Sequence, residues 1–263
     1  KTGDRKAARR LLWLPSLTIL FFAGPYCAIY ALTAVLAELV IVLRFRRDFR
    51  QSALRVIAVL LPFGFYFISR SLSVEERHGA TSESIFAVVR SRPLLLPRFF
   101  VRSFASTVIG QESAGSLPDF VFTLLGLSVL ALYALAFWRA AKLIEKERSM
   151  FPLCLIGSGF LNHMMVTASR WIFLRENYGM SSRYALQYQV GMLGLLLIFF
   201  LSARESGTKR ARRLAYGALL LFCLGNVLTT AHEIHMAPYR KENFVAMREV
   251  ARNYAAESDE TLV

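Results

Sequence analysis

Apolar residues in this chain come in long runs, and the charged residues sit between the runs instead of among them. The runs cover residues 11–43, 52–69, 119–138, 151–169, 184–202 and 214–231. All but the first are close to the roughly 20 residues a helix needs to cross the hydrocarbon core of a bilayer. They lack period-2 alternation, so they read as spanning helices and not as strands of a barrel. The first run is too long for one crossing. It is flanked by Lys1, Arg5, Lys6, Arg9 and Arg10 on one side and by Arg44, Arg46, Arg47 and Arg50 on the other. Two basic ends both belong on the cytoplasmic side, so this run is predicted to cross twice, with the break at Ala23-Gly24-Pro25.

The positions of the cations complete the topology. Segments 1–10, 44–50, 139–149 and 203–213 hold five, four, four and five Lys or Arg. The intervening 70–117 loop has six over 48 residues, with four acids, and the tail 232–263 has four against six acids. The asymmetry predicts seven spans, the N-terminus in the cytoplasm and the C-terminus outside. Within 70–117, the stretch Ser84–Ile109 is moderately apolar and is interrupted by Arg90, Arg92, Pro93, Pro97, Arg98 and Arg102. It is predicted to lie as amphipathic helices in the membrane interface, with arginine heads in water and Phe99, Phe100 and Phe104 in lipid. Phe244, Met247, Val250 and Ala251 recur at helical spacing and predict a separate short amphipathic helix in the tail, from about Tyr239 to Ala255.

Composition agrees with this reading. Hydrophobic residues make up 55% of the 263 while the net charge is +14, and the mean hydropathy is +0.43. The expected fold is all-α: one polytopic transmembrane bundle of about seven spans over residues 1–263. The basic charge belongs to short loops beside the spans, so it serves topology and lipid headgroups and excludes nucleic acid as a partner. Cys27, Cys154 and Cys223 all fall in apolar runs and behave as small hydrophobes, not as a disulfide framework. Nothing at the start reads as a cleaved signal peptide. No internal repeat or low-complexity tract is present.

Polar groups in or beside the spans are the candidate chemistry, because desolvation makes them costly. In the predicted topology they gather on the outer rim. Arg170, Arg175 and Arg183, followed by Tyr184, form the densest constellation, and guanidinium forks suit a lipid phosphate or pyrophosphate. The competing reading is that these arginines snorkel to headgroups or pair with Glu176 and Asp119. Asp119 and Glu233 are the candidate general bases. His232 and His235 stand at i and i+3, not at the i, i+4 spacing of the zinc-protease pattern, and no third ligand accompanies them. No metal and no cofactor is therefore expected. His163 beside Asn162 is expected as a core histidine hydrogen-bonded between helices. Glu38 is expected to snorkel toward Arg44. Gly157, Gly159, Gly191 and Gly194 are expected to permit close helix contacts.

Thr167-Ala-Ser-Arg170, then Gly179-Met-Ser-Ser-Arg183-Tyr184 opening an apolar span, resembles a signature of bacterial polytopic membrane proteins in which an arginine ends one helix and Ser-Arg-Tyr begins the next. The Phe22-Ala-Gly-Pro25 turn and the Arg44–Arg50 basic loop fit the same pattern, so the resemblance covers residues 11–70 and 150–263. That group is loosely similar to the membrane halves of GT-C-type glycosyltransferases, which use polyprenyl-phosphate-linked sugars at the outer face. The resemblance implies a bacterial inner-membrane location and a role in cell-envelope glycolipid or polysaccharide assembly. GT-C enzymes place a catalytic carboxylate in the first outer loop, whereas the turn at Gly24-Pro25 carries no acid. Two other readings stand beside this one. A non-catalytic subunit of a membrane complex would dock a protein partner through the tail, and a transporter would place Glu38 or His163 on its path.

Overall fold

The computed structural model describes residues 27–45, 49–71, 79–111, 117–147, 149–181 and 184–253. Its helices are α1 (Cys27–Phe45), α2 (Phe49–Ser71), α3 (Ile85–Ser91), α4 (Leu95–Ala105), α5 (Asp119–Glu147), α6 (Phe151–Arg170), α7 (Ala185–Ser206) and α8 (Lys209–Arg252). Two short 3-10 turns, Trp171–Phe173 and Tyr178–Met180, shape the α6–α7 connection, and no strand occurs among the described residues. Five segments are long and apolar enough to cross a membrane: Phe49–Ser69, Asp119–Ile144, Phe151–Phe173, Ala185–Ser206 and Lys209–Tyr239. Ala28–Leu43 is a shorter apolar helix. The first expected crossing and its Ala23-Gly24-Pro25 break lie outside the described residues.

The core is built from α5, α6, α7 and α8 around Tyr133, Ile156, Leu195, Phe199 and Phe222. Glycine lets the backbones approach, as it does in membrane bundles, where small residues replace the missing hydrophobic drive between helices. A Cβ on Gly191 would stand 2.8 Å from the Gly159 Cα, and it would also strike the Tyr133 hydroxyl, which reaches from α5 into the α6–α7 crossing. Gly194 packs the same way against Ile156. Gly157 does not: a Cβ there meets nothing within 4 Å. The α1–α2 hairpin joins this core through α1, where the Ser158 hydroxyl donates to Thr33 Oγ1 at 3.2 Å.

Three further expectations need correction. First, α4 does not turn its phenylalanines to lipid: Phe99 and Phe104 are 0% exposed. Phe104 packs edge-on against Tyr133 at 5.3 Å, and α4 is pressed onto α5 where Gly126 meets the Val101 carbonyl. An apolar stripe is satisfied equally by lipid or by protein, so the pattern alone does not choose between them. Second, the tail does not form a separate helix. The last span runs on through Pro238 as one 44-residue helix to Arg252. Third, Glu38 has a partner on α2, while the side chain of its expected partner Arg44 lies outside the described residues. Arg55 of α2 donates to its Oε1 at 3.0 Å, so the pair locks the α1–α2 hairpin inside the apolar layer.

The connections sort the helix ends into two groups. One end holds the Asp119 end of α5, the Arg170 end of α6, the Tyr184 end of α7 and α4. Thr229 of α8 joins them by accepting from the Gly110 amide at 3.0 Å. At the other end α5 and the α7–α8 turn meet around Trp138, Arg139, Ser206 and Arg210. Val40 near the α1 C-terminus reaches Leu153 and Cys154 on that same side.

Candidate functional site

Arg102 organises the first of these ends. Leu95, Phe99 and Arg102 lie at i, i+4 and i+7, so the arginine shares the apolar stripe of α4 and is carried into the bundle with it. It is 5% exposed. Its fork is filled from three other places: Nη2 lies 3.1 Å from Asp119 Oδ2, Nη1 lies 3.1 Å from Glu176 Oε2, and Nη1 donates to Asn177 Oδ1 at 2.8 Å. Nε donates to Thr123 Oγ1 at 3.4 Å. One turn earlier, Arg98 Nη1 donates to Glu176 Oε1 at 3.2 Å. A buried guanidinium held by acceptors on a helix start and a loop fixes both relative to α4. The legs are not equal. The Asp119 side chain is 67% exposed against 26% for Glu176, so solvent screens the first and the second carries more of the stability.

The α6–α7 loop is shaped to reach this guanidinium. Leu174 adopts the left-handed region at φ 54°, turning the chain after Trp171–Phe173. Phe173 and Tyr178 stack at 4.6 Å across the turn. Tyr188 of α7 donates from its hydroxyl to the Gly179 carbonyl at 3.0 Å. Gly179 is where the loop sits down on α4: a Cβ there would meet the Phe99 ring at 2.7 Å. The Thr81 amide donates to the Ile172 carbonyl at 2.8 Å, tying the segment before α3 to the same loop. Between α4, the start of α5 and this loop lies an open polar cleft of about 490 Å³. Arg102, Asp119, Arg175, Glu176 and Asn177 line it, with Gln111 on its rim. Arg175 is exposed.

Beneath the cleft is an aromatic floor. His163 is 0% exposed and lies sandwiched between Phe104 at 3.9 Å and Tyr188 at 3.8 Å. Its Nδ1 is 3.0 Å from Ser103 Oγ, and Ser103 in turn donates to the Phe100 carbonyl at 2.7 Å. With the serine proton spent on that carbonyl, the imidazole Nδ1–H is the donor to Oγ. His163 thus bonds across helices, from α6 to α4.

The predicted site residues separate. Asp119 and Arg175 meet in the cleft. Tyr184 is 2% exposed and packs with Phe99, Val166 and Tyr188 behind the loop, not in the cleft. Arg170 ends α6, and His232, Glu233 and His235 lie on α8 past Thr229; none of these lines the cleft. Arg183 lies outside the described residues. Among the described residues, no group of three or more His, Cys, Asp or Glu is placed to hold a metal ion. Arg98 and Arg102 partner the acids; Arg98 keeps its head at the solvent, whereas Arg102 is buried, against the expectation of a head in water. The signal that finds Arg102 is its place on the apolar stripe of Phe99, since a charge there needs a buried partner. Compared with protein-family models, curated proteins and solved structures, the chain matches none.

Proposed function

We propose that this is an integral membrane protein of bacterial cell-envelope glycolipid or polysaccharide assembly, glycosyltransferase-like, that holds a lipid phosphate in the cleft beside Arg175. The observation that carries the reading is the division of labour among the cleft cations. Arg102 is occupied by Glu176 and Asp119, whereas Arg175 lines the same cleft and stands exposed. A phosphate there would receive a charge-assisted fork. Asp119, with only Oδ2 on Arg102 and most of its side chain in the cleft, is the carboxylate offered to an acceptor hydroxyl. Seven crossings, with the cation-rich end cytoplasmic, would put this cleft at the outer leaflet of the inner membrane, where polyprenyl-phosphate-linked sugars are presented.

The test is binding of a polyprenyl phosphate to the protein in nanodiscs, together with in-cell glycan production. Arg175→Ala is expected to weaken binding about tenfold, the ~1.4 kcal/mol of one charge-assisted contact. Asp119→Asn is expected to keep binding and lose glycan production. Unchanged binding in Arg175→Ala sinks the reading.

A non-catalytic subunit is the second reading, and one feature favours it. From Thr229 to Arg252, α8 continues for about 35 Å past the cleft end at about 1.5 Å per residue. Phe244 and Met247 on this extension are exposed. A stoichiometric partner that co-purifies with the intact chain, and is lost when it is truncated after Tyr239, would select this reading.

A further inference from the structure

The opposite end of the bundle carries a second cleft, of about 370 Å³, between α5 and the turn joining α7 to α8. Arg139, Lys142 and Arg210 line it, with Trp138, Glu205 and Thr208. The cations outnumber the acid three to one. Arg139 is half-buried, and its Nε is shielded from solvent with no acceptor. Lys142 lies 4.0 Å over the Trp138 ring, which positions the ammonium at the mouth. Thr208 caps α8 by accepting from the Ala211 amide at 3.3 Å, so Arg210 stands in a first turn whose dipole adds positive potential.

Depth identifies the surroundings. Asp119, two-thirds exposed, begins the α5 span, and Trp138 follows 19 residues later. At about 1.5 Å per residue that is about 29 Å, one hydrocarbon thickness. Trp138, exposed, therefore sits at the headgroup boundary that tryptophan favours. A cationic cleft opening at this level beside an interfacial indole meets phosphates that are tethered to acyl chains.

We propose that this cleft binds the phosphodiester of an anionic phospholipid, with Arg139 and Arg210 gripping the phosphate and the Trp138 ring covering the upper acyl chain. The site is separate from the Arg175 cleft and does not depend on its assignment.

The intact protein in nanodiscs tests it, with bound phosphatidylglycerol counted by native mass spectrometry and the unfolding midpoint measured in phosphatidylglycerol and in phosphatidylcholine bilayers. Wild type is expected to retain phosphatidylglycerol and to unfold at a higher temperature in its presence. Arg139→Gln/Arg210→Gln is expected to lose about tenfold in retained lipid and to lose the shift. Arg212→Gln/Arg213→Gln, with the same charge change on exposed residues outside the cleft, is expected to behave as wild type. Equal losses in both double variants would mean general surface attraction and would overturn the site, as would no shift in wild type. If inorganic phosphate in phosphatidylcholine bilayers reproduces the shift, the cleft takes a soluble anion and the lipid assignment falls. A Gln variant that unfolds early even in phosphatidylcholine would be replaced by Lys142→Gln, an exposed position, whose unchanged lipid retention would count against the proposal.

Discussion

Arg102 and Asp119 meet at 3.1 Å across the junction of α4 and α5, one partner sealed in the bundle and the other mostly in solvent. This unequal pair defines what each residue does. Arg102 holds the local structure together, and Asp119 is held by it at the edge of a cleft.

Stability should divide accordingly. Arg102→Ala leaves Asn177 without its donor and Glu176 with Arg98 alone, and is expected to cost about 3–5 kcal/mol. Asp119→Asn should cost at most about 1 kcal/mol, because its leg is screened. Reversible unfolding in mixed micelles measures both; equal costs would contradict the geometry.

The α6–α7 crossing should tolerate no added methyl. Gly191→Ala brings a Cβ onto the Tyr133 hydroxyl and the Gly159 Cα, and overpacking of this kind costs about 1–3 kcal/mol or more. Gly157→Ala meets open space and should be neutral or stabilising by up to about 1 kcal/mol through helix propensity. Tyr133→Phe combined with Gly191→Ala should recover part of the loss and no more, since the Gly159 contact remains. Thermal unfolding of the four proteins checks this.

The Glu38–Arg55 pair should behave as a unit. Glu38 is 15% and Arg55 30% exposed, in side-chain terms. Arg55→Met alone leaves a carboxylate in the apolar layer, and Glu38→Gln/Arg55→Met should be more stable than Arg55→Met. A double-mutant cycle should return a coupling of about 0.5–3 kcal/mol. Additive effects would mean that the pair is not formed.

Reporter fusions test the proposed orientation. Alkaline phosphatase joined after Gly207 should be inactive, and joined after Arg175 or Val263 it should be active. Activity in the Gly207 fusion would invert the bundle and remove the Arg175 cleft from the outer leaflet.

The helices were legible because their cause is local. A bilayer-length apolar run must satisfy its own backbone hydrogen bonds, and that requirement is written along the chain wherever the runs occur. The basic stretches flanking Arg139, Lys142, Lys209 and Arg210 likewise marked one end of the bundle without reference to any contact. Asp119 pairs with Arg102, and Glu176 with Arg98 and Arg102, both arginines from α4, and not with Arg170 or Arg175 of the α6–α7 connection.

What tertiary structure alone decided is which apolar surface meets protein and which charge meets which. The stripe of Leu95, Phe99 and Phe104 is equally content against lipid or against α5 and α6, since both are apolar. Only the glycine seats at Gly126 and Gly179 and the acids waiting for Arg102 draw α4 into the bundle. The chain by itself determined that the apolar helices exist, through hydrophobic length and charge, but not where they end: the last runs on to Arg252. The cleft arises from packing between segments more than seventy residues apart, such as Arg102 and Glu176, and no local pattern records that proximity.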